Sequence, residues 1–276
     1  MSETNSSNCN HNCADCQAEC SSREIPKDVQ NQYSNIKKII AVVSGKGGVG
    51  KSTVCTLLAK DLVKKGHKVG IMDADITGPS IPLMLSLKGP AYGEDNMIIP
   101  LETKSGIKVI SAQMLLDDQE SPVIWRGPIL AGMVRQFFTE VKWGDLDYLI
   151  IDLPPGTGDV PLTVFQSIPL NGILIVTTPQ ELVTTIVMKA VNMAKMMNIP
   201  IIGVVENMSY VKCPDCGKEI EVFGPSHLPL YKEKGLSTLD RLPLEPLVTQ
   251  EITEGKFTET KLSLPKTIES LEQLPM

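Results

Sequence analysis

The chain has 276 residues, 42% of them hydrophobic and 21% charged, which suits a folded core and argues against global disorder. Aspartate plus glutamate number 32 against 26 lysines and arginines, and a formal net charge of −6 disfavours a general binder of nucleic acid or of an anionic membrane. No apolar stretch approaches the ~18–20 residues of a membrane span. The opening MSETNSSNCNHNC has neither the basic segment nor the apolar run of a secretory signal, so the expected compartment is the cytoplasm.

Residues 1–35 are rich in Asn, Ser, Cys and Gln and too poor in apolar side chains to bury a core alone. They read as a flexible Cys-rich extension ahead of a single domain over 36–276. From Lys37 the texture changes. KIIAVVS is a β-branched strand, followed by a glycine-rich loop and then by STVCTLLAKDLVKKG at helical spacing. KVGIMDAD and IKVISA are further strands, and GPILAGMVRQFFTEV is a helix. DYLIIDLPP, GILIVTTP and PIIGVVENM are three more buried strands, with the helix ELVTTIVMKAVNMAKMMN between the last two. Apolar strands alternating with helices predict an α/β fold with a doubly wound, mostly parallel sheet covered on both faces. The tail places Leu264, Ile268, Leu271 and Leu274 at helical spacing, which predicts a short docked helix.

Gly45-Lys46-Gly47-Gly48-Val49-Gly50-Lys51-Ser52 fits the phosphate-loop pattern GxxxxGK[ST] and lies between a predicted strand and a predicted helix. Glycines let successive backbone N–H groups turn toward phosphate oxygens, and the helix N-terminus adds a favourable dipole. Lys51 is expected to reach the β- and γ-phosphates, with the Ser52 hydroxyl on Mg2+ and Thr53 completing the nucleotide-binding run. Asp73 and Asp75 end the second strand, where ligands of an open α/β sheet sit. One acid there can hydrogen-bond Mg2+-bound water and the other can orient an attacking water. Asp152 closes the apolar run YLIID in the Walker-B manner and would support Mg2+. Pro154–Asp159 then reads as a loop sensing the γ-phosphate. Asn207, just after a strand, carries an amide able to read an adenine edge.

Seven cysteines in clusters do not look like a disulfide framework. Cys213 and Cys216 form a CxxC knuckle between two short ribbon arms over 208–223. A tetrahedral zinc or a 4Fe–4S cluster takes four ligands, and this motif supplies two. A second copy of the chain could complete the set, the N-terminal cysteines could, or the pair could form a redox disulfide. Cys9, Cys13, Cys16 and Cys20 have the spacing C-x3-C-x2-C-x3-C, near that of a ferredoxin run. They could hold a cluster, zinc or no metal, with His11 a less natural ligand. Cys55 reads as a core residue, and Met188, Met193, Met196 and Met197 as helix core or rim.

GKGGVGKST, DADITGPS, Trp125-Arg126-Gly127-Pro128, DLPPGTGD, TTPQ, ENMS and CPDCGK occur in this order from about Ile39 to about Thr253. In this the chain resembles the Mrp/ApbC (Nbp-type) iron–sulfur cluster carrier ATPases, within the MinD/ParA-like class of P-loop NTPases. The resemblance implies an ATPase that hydrolyses ATP slowly, works as a homodimer and holds a 4Fe–4S cluster between subunits on Cys213 and Cys216. It implies that Lys46 contacts nucleotide, often across the dimer interface, and that Asp75 positions water while Asp73 serves the metal's outer shell. Asn207 is then the base contact. Implied partners are apo iron–sulfur proteins and cluster-assembly factors, with no nucleic acid and no stable membrane association. Two other readings stand beside this one: a MinD- or ParA-like positioning ATPase, and a nucleotide-dependent redox protein.

Overall fold

The structure is a computed structural model and describes residues 26–275 apart from Thr77 and 116–126. The Cys9, Cys13, Cys16, Cys20 run with His11, and Trp125-Arg126, lie outside the described residues.

The sheet is built from the apolar runs. β1 (Ser34–Ser44), β2 (Val69–Asp73), β7 (Gly144–Asp152), β8 (Gly172–Thr177) and β9 (Ile201–Glu206) are mutually parallel, as is the Lys108–Ser111 strand. Numbered in chain order, Tyr92–Glu94, Met97–Ile99 and Leu101–Glu102 are β3, β4 and β5, and Lys108–Ser111 is β6. With β12 (Thr238–Arg241) the main sheet has the order β12-β9-β8-β1-β7-β2-β6-β5, in which only β5 runs antiparallel to its neighbour. Every residue of β2 and β8 is buried, as expected where helices cover both faces. The pleat splits β1 between two cores. Ile39, Ala41 and Val43 face a cluster with Phe137, Phe138 and Trp143, while Ile40 and Val42 face one with Leu57, Leu58 and Phe257. Each Val, Leu, Ile or Phe among them contributes about 1.5–3 kcal/mol when fully buried.

Helices α1 (Lys51–Lys64), α3 (Gly127–Thr139), α4 (Asp159–Ser167) and α5 (Glu181–Met196) supply most of the cover, with the one-turn α2 (Ile81–Met84) beside α1. The C-terminal part adds α6 (Leu228–Glu233), α7 (Leu247–Thr253) and α8 (Pro265–Glu272). In α8 the predicted stripe is real, because Leu264, Ile268 and Leu271 are all buried against the core that α1 covers. Met188, Met193 and Met197 pack against the opposite core and Met196 is exposed, in keeping with a helix core and rim. No helix among the described residues is long and apolar enough to cross a membrane.

Several elements carry no clear sequence signal. The β3–β4 hairpin turns through Asp95 and Asn96, both at positive φ. β12 is a short strand whose TLDR sequence holds two charges, and its pairing with β9 is irregular. Residues 26–33 lie along the body. Lys27 Nζ donates to the Phe165 carbonyl at 2.6 Å, Asp28 N to the Ser167 carbonyl at 2.7 Å, and Asn31 Nδ2 to the Val141 carbonyl at 2.8 Å. Arg135 forks onto the Asp28 carboxylate.

Candidate functional site

β1 is flanked by β8 on one side and β7 on the other, so the crevice at its carboxyl end lies where the sheet order reverses. The phosphate loop follows β1 there, and α1 begins at Lys51, as the motif requires. Gly50 sits at φ 78°, and a Cβ on it would lie 2.2 Å from Asn207 Nδ2, so both backbone and space demand glycine. A cleft of about 240 Å³ opens over the loop, bounded by Ser44, Lys51, Asp75, Ser80, Met84 and Pro155.

The acids converge by register. Asp73 and Asp152 are paired residues at the ends of β2 and β7. Lys51 Nζ donates to Asp152 Oδ1 and lies 3.6 Å from Asp75 Oδ2. Ser52 Oγ donates to Asp152 Oδ2 at 2.5 Å, and the Cys55 thiol donates to Asp152 Oδ1 at 3.4 Å. Asp152 therefore gathers the lysine, the hydroxyl and the thiol in one fully buried carboxylate. Burial works against the Lys51 charge, but Asp152 and then Asp75 hold its pKa above the ordinary lysine value. Burial, and next the charge of Asp152, push the Asp73 carboxyl well above the usual aspartate range. Asp73 Oδ1 accepts from Asp75 N at 3.2 Å, while Asp73 Oδ2 is buried with no hydrogen-bond partner. Cys55 is fully buried, as expected of a core residue, and burial together with Asp152 keeps its thiol protonated.

Two neighbouring loops frame the cleft. Gly156, at φ 87° in the Pro154–Asp159 loop, donates its N–H to the Ser44 carbonyl at 2.9 Å. Ser44 Oγ in turn donates to the Lys46 carbonyl at 3.0 Å. Lys46 Nζ is hydrogen-bonded to Gln180 Oε1 at the start of α5. Asn207 is buried, and its Nδ2 donates to the Val49 carbonyl at 3.0 Å. The sequence offered Gln180 only within TTPQ, and nothing local announced a contact spanning 134 residues.

The two cysteines lie elsewhere. β10 (Val211–Lys212) and β11 (Glu219–Ile220) form the expected antiparallel ribbon with the knuckle at its tip. Cys213 N donates to the Lys218 carbonyl and Gly217 N to the Cys213 carbonyl, both at 2.9 Å, with Gly217 at φ 72° closing the turn. Cys216 is exposed and Cys213 half-buried. The backbone N–H groups of Cys216 and Asp215 hold the Cys213 thiol below the ordinary cysteine pKa, which favours the thiolate that binds metal. Among the described residues no third His, Cys, Asp or Glu joins them as a metal-holding group.

Comparison with known proteins agrees with this geometry. Residues 35–274 match the ParA family model described as NUBPL iron-transfer P-loop NTPase. A Clostridium perfringens protein named iron-sulfur cluster carrier protein is 45% identical over 249 residues, covering 87% of each chain. One of the same name from Methanocaldococcus jannaschii is 51% identical over 221 residues, covering 79% of this chain and 76% of its own. Among solved structures, a nucleotide-binding protein from Archaeoglobus fulgidus in complex with ADP, with cobalt found by PIXE, superimposes with TM-score 0.75 at 43% identity, covering 87% of this chain and 93% of that one. The cell division ATPase MinD of Pyrococcus furiosus, at 22% identity and TM-score 0.65 over 86% of this chain and 98% of its own, shares the fold. The chain belongs to the NUBPL iron-transfer family of P-loop NTPases.

Proposed function

We propose that the protein is an ATP-dependent iron–sulfur cluster carrier. A homodimer holds a 4Fe–4S cluster on Cys213 and Cys216 of both chains and delivers it to apo-proteins. The observation that carries this is the half-complete thiolate site. Two cysteines stand on an accessible ribbon with no third ligand among the described residues, attached to a fold that binds nucleotide. Two copies of the chain would supply four thiolates, and a cluster shared between two chains is freed when they separate. The carrier names of relatives at 45% and 51% identity support the reading.

The cleft's residues fit a nucleotide and its Mg2+. A hydroxyl at Ser52, a carboxylate at Asp152 and the unpartnered buried oxygen of Asp73 make a hard, oxygen-only donor set. Mg2+ bound there would neutralise phosphate charge. Lys51 must leave Asp152 to reach the phosphates, and Gly45, Gly47, Gly48 and Val49 turn the loop's amides toward them. Asp75, at the cleft wall, orients the attacking water. Lys46 leaves Gln180 to contact nucleotide, and Asn207 keeps a second amide proton and a carbonyl for the base while its first proton holds Val49. Slow hydrolysis of ATP resets the dimer. Reduced thiols suit the cytoplasm, and the four N-terminal cysteines serve as an accessory cluster site.

The test is transfer. Protein reconstituted with iron and sulfide under argon is mixed with an apo-ferredoxin, with and without ATP, and the acceptor's absorbance and activity are followed. The wild type fills the acceptor, and the Cys213→Ser/Cys216→Ser variant does not. Equal transfer by both would overturn the proposal.

A further inference from the structure

The nucleotide cleft and the cysteine ribbon are joined by a short, doubly anchored connection. β9 ends at Glu206, whose carboxylate is fully buried. The next residue, Asn207, holds the phosphate loop through the Val49 carbonyl. Met208 follows at φ 54°, and only five residues separate Asn207 from Cys213. The outgoing arm of the ribbon therefore starts at the phosphate loop.

The return arm is gripped from β12. Arg241 is the register partner of Glu206. Its Nη1 donates to Glu219 Oε2 and its Nη2 to Glu221 Oε1, both at 2.8 Å. Its guanidinium lies 4.7 Å from the centre of the Tyr210 ring. Glu219 follows Lys218, whose carbonyl receives the Cys213 N–H. One side chain thus holds both arms of the ribbon just behind the cysteines.

The third nitrogen of this fork is the informative one. Arg241 Nε is buried and has no hydrogen-bond partner. It lies 3.9 Å from Glu206 Oε2. That oxygen is taken by Ser209 Oγ at 2.5 Å, while Glu206 Oε1 is held by His227 N at 2.8 Å. Ser209 Oγ holds this oxygen while Arg241 Nε stands just beyond hydrogen-bond reach of it, and a buried donor left without a partner is destabilising. Ser209 has a second acceptor in reach, the Glu206 backbone carbonyl at 3.4 Å. It can therefore release the carboxylate without losing every bond.

We propose that Arg241 is a positioning residue that couples the phosphate loop to the cysteine ribbon by exchanging with Ser209 at Glu206. In one state of this element Ser209 occupies Glu206, as in the contacts above, and nucleotide selects the other. Nucleotide moves the loop carbonyl that Asn207 holds, and Ser209, two residues on, is drawn from the carboxylate. Arg241 Nε closes on Glu206, and the fork carries Glu219 and Glu221 with it, which re-aims Cys213 and Cys216. This is a discrete two-state element that both sites bias, the physical requirement for coupling between them. It regulates the site of the carrier reading and rests on that reading for its purpose.

The test uses the full-length, metal-free protein. Iodoacetamide labelling rates at Cys213 and Cys216 are read peptide by peptide, with and without Mg2+ and a non-hydrolysable ATP analogue. In the wild type the analogue changes the rate by about fivefold or more. Arg241→Gln abolishes that response while its affinity for the analogue stays within about twofold. Arg241→Lys, which keeps the charge and loses the fork, also fails to respond. Ser209→Ala has the opposite signature: without nucleotide it already labels at the analogue-bound rate of the wild type. If Arg241→Gln does not fold, as judged by circular dichroism, the Ser209→Ala result decides alone. A wild type that does not respond, an Arg241→Gln protein that responds fully, or a Ser209→Ala protein that labels like the nucleotide-free wild type would each overturn the proposal. Iron loading of the wild type is measured in parallel. A normal thiol response without a cluster would sink the carrier reading and leave the coupling standing.

Discussion

In the nucleotide cleft, Asp73 and Asp152 are fully hidden and Lys51 is 6% exposed, whereas Cys216 on the ribbon stands in the open. The cleft is lined by the phosphate loop and by residues that follow β1, β2 and β7. Its lysine and its serine are both hydrogen-bonded to one buried carboxylate, that of Asp152. The ribbon presents two cysteines, with no third metal-holding group beside them among the described residues, on strands of two residues each. A buried, preorganised site suits a ligand that is bound and processed in place. An exposed and half-complete one suits cargo that must come and go. The two regions make different demands on the fold, so substitutions should separate them.

The largest separation is expected at Lys51. Lys51→Ala removes the charge that compensates Asp152 and the group proposed to meet the phosphates. Nucleotide affinity should fall by about 100-fold or more, read by titration with a fluorescent ATP analogue. A fall of less than tenfold, itself about 1.4 kcal/mol, would show that the loop's amides hold the phosphates without it. Iron bound by the ribbon should be unaffected, because Lys51 makes no contact with it. Next comes Gly50→Ala. The left-handed backbone costs about 1–2 kcal/mol for any other residue, and the new methyl would displace Asn207. A loss of roughly tenfold in nucleotide affinity with the fold intact is expected. Wild-type affinity would show that Asn207 does not need its present seat.

The mildest expectation concerns the far end of the sheet. Lys37 and then the Lys68 amide hold the Asp147 carboxyl below the ordinary aspartate pKa. A group whose folded pKa is depressed stabilises the fold above its unfolded pKa, and loses that contribution as pH falls through the folded value. Asp147→Asn should therefore cost less than about 1 kcal/mol at neutral pH, since Lys37 and Asp147 are solvent-screened. The difference from wild type, measured by urea unfolding, should shrink as pH falls from the ordinary aspartate range through the depressed folded pKa. Neither site should register the change.

How much of this was legible in the sequence differs between the same two regions. The phosphate loop, Asp73, Asp75 and Asp152 were readable because strand ends in a parallel sheet point to one edge, and apolar runs mark those strands. The ribbon's outline was readable too, from a CxxC between two short arms. Its support was not. β12 reads TLDR, too short and too charged to signal a strand, and so Arg241 gave no warning that it grips Glu219 and Glu221. The structural contact of Asn207 was equally hidden. Only the family resemblance made this residue an expected base contact, and its bond to Val49 spans 158 residues and exists only once the sheet has formed. Lys46 is the same case, since its partner Gln180 follows β8, a neighbour of β1 in the sheet but 134 residues away in the chain.

The measurement that bears most directly on the central claim is the iron and labile sulfide bound per dimer after anaerobic reconstitution, for the wild type and for Cys213→Ser/Cys216→Ser. A shared 4Fe–4S cluster predicts that the variant binds about four fewer iron and four fewer sulfide per dimer. Nucleotide affinity and thermal stability should stay unchanged, as befits side chains outside the core. Equal iron in the two proteins would contradict a cluster on the ribbon and, with it, the carrier account.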